Sequence, residues 1–191
     1  MISGFIGNIS TWLIKHSAIK PEDRELYEYA IYSFIITISP LFLVLLISGI
    51  IGKLLEGVVI IIPFMMLRKF SGGFHAKKAG TCFIGSCILL FLCINATSYL
   101  ICNFMLKTLT LGAAISLCIL SPVDSENRRL TDAEKIAYKK TTMFIVIFFM
   151  IVFVLLLIAE KEKYAMCIAI GLILSASLQL PCIISKIKAN C

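Results

Sequence analysis

Long apolar runs dominate this chain and restrict what it can fold into. Six are present, at about 30–51, 54–67, 82–106, 108–123, 141–159 and 164–185. A helix needs about 20 apolar residues to cross a bilayer core, and four of the runs reach or approach that length. The second run has 14 residues, including Glu56 and Pro63, and the fourth has 16. The pattern predicts an all-α, polytopic integral membrane protein with about six membrane helices, of which the two short ones could be re-entrant or tilted.

Composition agrees with the membrane class and argues against an ordinary soluble domain. Mean hydropathy is +0.99 and only 15% of the residues are charged. At 191 residues the chain is expected to form a single membrane domain. Within it we expect an amphipathic surface helix over 1–16 and a transmembrane core over 21–191, with cytoplasmic loops at 68–81 and 121–140.

The positive charges predict how the helices are oriented. A net charge of +7 could indicate nucleic-acid binding, but in a membrane protein it first indicates a cytoplasmic excess of Lys and Arg. If all six runs cross and the N-terminus is inside, the inside segments hold 14 of the 18 Lys and Arg residues and the outside turns hold four. A re-entrant second run would instead place four basic residues of 68–81 outside. Six crossings, with both termini cytoplasmic, are therefore favoured, and nucleic acid is not an expected partner.

The first residues form a stripe typical of an amphipathic helix. Its apolar members recur at helical spacing: Ile2, Phe5, Ile6, Ile9, Trp12 and Leu13. Such a helix would lie on the membrane surface with Trp12 at the headgroup level, or it would pack on the protein's own core.

Local signals predict where other helices begin and end. Pro21 suits the first turn of a helix that continues into the first apolar run. Ser121-Pro122 should end a helix. Thr131 followed by Glu134 has the spacing of a capping box that begins the next one.

The eight cysteines do not indicate a metal site or a disulfide framework. They include no CxxC pair, and most lie in apolar runs, where a thiol behaves as a small hydrophobe. We therefore expect reduced thiols and no metal or other cofactor.

Residues 68–82, RKFSGGFHAKKAGTC, form the exception to the apolar pattern. Within this segment His75 and Cys82 are the only His–Cys pair close in sequence, and an imidazole can generate a nucleophilic thiolate near neutral pH. Four fixed positive charges would favour that thiolate: Arg68, Lys69, Lys77 and Lys78. A helix N-terminus at Cys82 would act in the same direction.

The proposed pair places a geometric demand on the backbone. Residues seven apart on one helix are about 10 Å apart along the axis, beyond the hydrogen-bond reach of about 3 Å. The chain must fold back between His75 and Cys82, and Gly80 could permit the bend. Gly72-Gly73 could form a turn that presents the imidazole and backbone N–H groups to a substrate carbonyl. Each feature alone has a simpler explanation in packing, solvation or topology.

Two stretches of the chain resemble a known family. The run from Arg68 through Gly72, Gly73 and His75 to Cys82 is similar to the signature of the AgrB family, membrane peptidases of Gram-positive quorum sensing. The segment SPVDSENRRL, 121–130, is similar to a second family stretch. Length and hydropathy profile extend the resemblance over essentially the whole chain.

The resemblance implies a function and a set of partners. Such proteins remove the C-terminal tail of an AgrD-type precursor peptide and close the remainder as a lactone or thiolactone, and they are thought to act as homodimers in the cell membrane. By position, His75 and Cys82 would be catalytic, and Arg68, Gly72 and Gly73 would support the site. Cationic side chains could attract an acidic substrate tail: Lys69, Lys77, Lys78, Arg128 and Arg129.

Two other functions compete with a cysteine endopeptidase. A small transporter or peptide exporter could use broken helices and the polar residues Asn95 and Gln179 as a path, although such groups also bond across helices and only Glu56 carries intramembrane charge. A membrane scaffold would use the basic loops for docking a soluble partner.

Overall fold

The computed structural model describes residues 2–72, 79–123 and 131–184, without the side chains of residues 2, 3, 33, 36, 37, 79 and 82. Within those ranges the chain is all-helical and contains no strand. Its α-helices are α1 Ile2–Lys15, α2 Arg24–Ile50, α3 Leu54–Ser71, α4 Ala79–Ala96, α5 Phe104–Leu120, α6 Asp132–Ile158 and α7 Glu162–Ser177. A 3-10 turn at Pro21–Asp23 leads into α2, which confirms the helix start expected at Pro21.

The second predicted helix start is also confirmed. Thr131 accepts a hydrogen bond from the Glu134 amide, and Glu134 accepts one from the Thr131 amide, so the two residues form a capping box at the beginning of α6. Helix α5 ends at Leu120, directly before Ser121-Pro122. These boundaries follow from local chemistry alone, which is why sequence predicts them.

The boundary predicted between the third and fourth apolar runs was wrong. The chain leaves helix α4 at Ala96 and enters α5 at Phe104, so residues 97–103 form the connection and Lys107 lies inside α5. Asn103 explains the difference, because its side chain accepts a hydrogen bond from the Leu106 amide, 2.9 Å away, and caps α5. An apolar run conceals such a break because the connecting residues are themselves largely apolar.

Helices α3 and α7 lie side by side and run in the same direction. Glu56 near the start of α3 pairs with Lys163 at the start of α7. In the middle, Gly171 packs so closely on α3 that an added Cβ would lie 2.7 Å from Pro63 Cγ. Near their other ends, the Gln179 side chain reaches Ser71. The two helices therefore keep one register over about 22 Å of rise.

The described helices alternate in direction from α2 to α7. We call the end that holds Ser71 and Gln179 the signature end, and the end that holds Glu56 and Lys163 the far end. Lys53 Nζ lies 3.4 Å from the Asn95 carbonyl oxygen, so α4 ends at the far end. Phe70 packs edge-to-face on Tyr138, so α6 begins at the signature end. Alternation of this kind is what successive crossings of a bilayer would produce.

Helix α7 is central and the helices around it expose apolar side chains. Ala165, Cys167 and Leu172 are fully buried, whereas Phe144 of α6 is 73% exposed. Among the described residues two apolar segments are long enough to cross a membrane. They are Asp132–Ile158, with an 18-residue window of mean hydropathy 3.1, and Glu162–Ile184, which begins with α7 and has a window of mean hydropathy 2.2. The apolar segments Ile38–Ile50, Phe83–Ala96 and Phe104–Leu120 are shorter. Six crossings remain a prediction.

Helix α1 packs on the protein's own core, which is one of the two arrangements expected from its sequence, and the membrane-surface arrangement stays a prediction. Ile6 and Ser10 are buried on the helix bundle, and Ser10 Oγ donates a hydrogen bond to Glu28 of α2 over 2.7 Å. Phe5 and Trp12 are exposed. One face of α1 therefore docks on the protein while two large aromatic side chains stay free to meet a surface.

Candidate functional site

The site is built where the two family-like stretches leave their helices. Gly72 follows α3 and forms an isolated parallel β-bridge with Val123, which follows α5. The Val123 amide donates a hydrogen bond to the Ser71 carbonyl oxygen over 3.0 Å. The segments that continue toward His75 and toward Arg128 and Arg129 therefore start side by side.

The backbone at residue 72 has a conformation that essentially only glycine adopts. Its φ of 73° and ψ of −157° lie in a region that L side chains rarely adopt. A Cβ at this position would also collide with the Val123 carbonyl oxygen. Close approach of two backbones thus explains why residue 72 is glycine, and its supporting role in the site stays a prediction.

The segment that follows α7 also contacts the residues around the Gly72–Val123 bridge. Gln179 lies in the turn that follows α7, and its side-chain nitrogen donates to the Ser71 carbonyl oxygen at 3.0 Å and to Ser121 Oγ at 2.8 Å. The side chain is fully buried. One amide therefore ties the end of α3 to the end of α5.

The last turn of α3 brings positive charge and an aromatic anchor to the signature end. Lys69 is exposed, with Nζ 5.4 Å from the centre of the Phe70 ring. The Phe70 ring lies 5.7 Å from that of Tyr138 and holds the turn against α6. Arg68 Nη1 approaches the Gly72 carbonyl oxygen at 3.5 Å, a long contact.

Helix α4 begins at Ala79, so Cys82 lies in its first turn. Beside it, Gly80, Thr81, Ile84 and Gly85 line a shallow, largely apolar depression on the helix surface. Gly80 is inside the helix, so the fold-back that links His75 to Cys82 would have to occur before Ala79.

Most of the other predicted site residues lie outside the described residues. They are Gly73, His75, Lys77, Lys78, Arg128 and Arg129. The pairing of His75 with Cys82 and the binding role of the basic side chains therefore stay predictions. What the structure brings together is the pair of backbones from which these residues extend.

The far end carries a different charged feature. Glu56 of α3 is 5% exposed and forms an ion pair with Lys163 of α7. This pair is separated from Ser71 by 15 residues of α3, or about 22 Å. It stabilises the α3–α7 register and takes no part in the signature end.

Among the described residues no group of three or more His, Cys, Asp or Glu side chains is arranged to hold a metal ion. The described cysteines are free thiols: Cys87, Cys93, Cys102, Cys118, Cys167 and Cys182.

Sequence reasoning did not identify Gln179 as part of the site. It treated this residue as a polar group in an apolar run, either along a path or bonded between helices, and the structure confirms the interhelical bond. The available signal was its side chain, because an amide in an apolar span requires partners. Which partners it finds depends on the α3–α7 register.

The whole chain was compared with known proteins. A family model described as accessory gene regulator B matches residues 6–180, which include both stretches and Gln179. No curated protein and no solved structure matches the chain.

Proposed function

The chain belongs to the accessory gene regulator B (AgrB) family, and we propose that it is a membrane cysteine endopeptidase that cleaves and cyclises a quorum-sensing propeptide. Family membership supports a role in autoinducer processing. In the proposal His75 and Cys82 perform the chemistry at the signature end, and the substrate is an AgrD-type precursor.

One structural observation carries the proposal beyond family membership. The Gly72–Val123 bridge joins the two stretches that resemble the family signature, although they are about 50 residues apart in sequence. Backbone conformations as sparsely populated as that of Gly72 cluster at functional sites, which supports a role for the bridge beyond packing. Two segments that both start at the Gly72–Val123 bridge can act on a single bound peptide.

The first half of the proposed reaction is cleavage. His75 takes the proton of Cys82, and the thiolate attacks the carbonyl carbon of the scissile peptide bond. When the tetrahedral intermediate collapses, the C–N bond breaks, His75 returns the proton to the departing amine, and the tail leaves. The remainder of the precursor stays on Cys82 as a thioester. The first turn of α4 assists because its unpaired N–H groups favour a negatively charged sulfur.

The second half of the proposed reaction is ring closure. An internal cysteine or serine of the precursor gives its proton to His75 and attacks the thioester carbonyl. The ring bond forms, the Cys82–acyl bond breaks, and the proton returns to Cys82. Water competes for the same thioester, so the attacking side chain must be held close in an apolar site. The apolar depression beside the first turn of α4 offers such a surface.

The charge of the signature end suits an acidic peptide tail. Besides Lys69, the exposed Lys139 and Lys140 follow the start of α6 on the same end. Clustered cations raise the local concentration of an anionic ligand. Arg128, Arg129, Lys77 and Lys78 would add to this field in the proposal.

Transport without peptidase activity finds less support. Glu56 is paired with Lys163, Gln179 is bonded to Ser71 and Ser121, and the Asn95 side chain donates to the Phe91 carbonyl oxygen of its own helix. The charge of Glu56 and the amide nitrogens of Gln179 and Asn95 are thus engaged in structural bonds. A transport path would need them free to meet a solute.

The test is cleavage of a candidate precursor by the purified protein in lipid, followed by mass spectrometry. We expect Cys82→Ala to abolish cleavage, because no nucleophile remains, while the protein still inserts in the membrane. Cys87→Ala is the matched control, since Cys87 lies five residues further along α4, where its thiol packs against the core and donates a long hydrogen bond to the Pro40 carbonyl oxygen, at 4.0 Å. We expect it to cleave normally.

The adduct provides the second readout. The wild-type protein should carry the precursor fragment on Cys82, and Cys82→Ser should trap it as an ester. Cleavage at the normal rate by Cys82→Ala would exclude this mechanism.

A further inference from the structure

Burial of the Gln179 side chain includes an unfavourable free-energy term, because one of its polar atoms has no partner. Its nitrogen makes two hydrogen bonds, but Oε1 has no hydrogen-bond partner among the described residues. A buried acceptor without a partner costs about 1–3 kcal/mol. An apolar side chain of similar shape would avoid that penalty, so the amide is better explained by what it holds in place.

The two bonds of this amide bear on both loops at once. The Ser71 carbonyl oxygen accepts from Gln179 Nε2 and from the Val123 amide, both at 3.0 Å. A carbonyl oxygen has two lone pairs, so each of them is used. Ser121, the other partner, lies two residues before Val123. The Gln179 amide thus bonds to both segments near the Gly72–Val123 bridge, at Ser71 in one and at Ser121 in the other.

Rigid support reaches the amide from α7. Leu172, Leu174 and Ser175 are almost completely buried among α3, α5 and α6. The Gly171–Pro63 contact fixes α7 along α3. Gln179 therefore follows a helix that is packed against three others, and its side chain reaches the residues at which the two segments begin.

We infer that Gln179 is a positioning residue for the peptidase reaction, holding the loop that bears His75 and the loop that bears Arg128 and Arg129 in their working arrangement. The inference rests on the proposed function. Gln179 touches no reacting atom in this account and acts through the Ser71 carbonyl and the Ser121 hydroxyl. A displacement of about 1 Å at a reacting group can lower a rate about 100-fold, so loss of the amide should affect the chemical step.

The principal variant is Gln179→Met, which keeps the length of the side chain and removes its hydrogen bonds. We expect kcat for precursor cleavage to fall about 10- to 100-fold. KM should rise by a smaller factor, because Lys69, Lys139 and Lys140 lie outside the two segments and still attract the acidic tail. The matched control is Ser175→Ala. Ser175 is one turn earlier on α7 and equally buried, but its hydroxyl donates only to Gly171 of its own helix, at 2.9 Å. We expect the control to retain the wild-type kcat.

A double-mutant cycle tests the route through Ser121. Ser121→Ala alone should lower kcat by a smaller factor, since the Ser71 bond remains. Added to Gln179→Met, it should lower kcat no further, because the interaction is already absent. Ser121→Ala also carries the test by itself if Gln179→Met does not accumulate in the membrane, as it should still lower kcat more than Ser175→Ala does.

Hydrogen exchange at the Val123 amide gives a readout that does not depend on activity. In Gln179→Met the peptide that contains Val123 should exchange on the order of tenfold faster, whereas Ser175→Ala should leave it unchanged. Wild-type kcat in Gln179→Met overturns the inference, as does a loss confined to KM. The proposed function is judged separately, by whether wild type cleaves and Cys82→Ala does not.

Discussion

At the scale of single residues, the signature end depends on groups whose roles come from backbone geometry. Gly72 is required because its φ is positive and the Val123 backbone lies against it. Ser71 contributes a carbonyl oxygen and is fully buried. Neither residue needs chemical reactivity to matter, since each sets where a loop begins.

Gly72→Ala should separate the two loops. The added Cβ collides with the Val123 carbonyl oxygen and the residue must leave its left-handed conformation, at a local cost of about 1–3 kcal/mol. We expect precursor cleavage to fall at least about tenfold and the Val123 amide to lose protection. The control is Gly112→Ala in α5, where an added Cβ meets nothing within 4 Å. If both variants cleave at the same rate, the bridge has no role in the site.

At the scale of elements, α1 is attached to α2 by a small polar cluster. Arg24 Nε donates to Glu28 Oε1 over 2.8 Å, and Ser10 Oγ donates to the same oxygen. The hydrogen bond from Arg24, and then that from Ser10, holds the pKa of Glu28 below its ordinary value. A lowered carboxyl pKa means that the charged form favours the docked helix.

Acid should therefore release α1. The contribution of Glu28 is fully present above the ordinary carboxyl pKa and is lost as the pH falls through the lowered value. Trp12 is the single tryptophan and lies on α1, so its fluorescence in liposomes reports the change. We expect a transition in wild type and a weaker one in Glu28→Gln, which cannot lose a charge. Identical profiles would mean that other contacts hold α1 in place.

At the scale of the whole molecule, the alternating helices separate the positive charges. Of the 12 described Lys and Arg residues, eight lie at or near the signature end and four at the far end. The far-end residues are Lys53, Lys107, Lys161 and Lys163. The bias agrees with the topology expected from the sequence, in which the signature end is cytoplasmic.

Labelling of introduced cysteines tests this orientation. In a background with the other thiols replaced, Lys53→Cys and Lys161→Cys should react with an impermeant maleimide added outside intact cells. Lys69→Cys and Lys139→Cys should react only after the membrane is opened. Outside labelling at residue 69 would mean that α3 does not cross, as in a re-entrant second run.

Several features were predictable because they depend on nearby residues. Pro21 and the Thr131–Glu134 capping box mark helix starts through bonds within one turn. The family match and the apolar runs depend on the order of residues alone. The break between α4 and α5 was missed because Asn103, the capping residue, sits in a run that reads as continuous.

The sequence alone determined the helical class, the family and the residues proposed for chemistry, since periodicity, capping and motif spacing are local properties of the chain. Only the tertiary structure decided that Gly72 meets Val123 and that Gln179 bonds to Ser71 and Ser121. Those contacts join residues 51 to 108 positions apart. They exist because α3, α5 and α7 end at the signature end, close to one another. The side-chain packing between these helices fixes their relative positions along the helix axes, and packing depends on the tertiary structure.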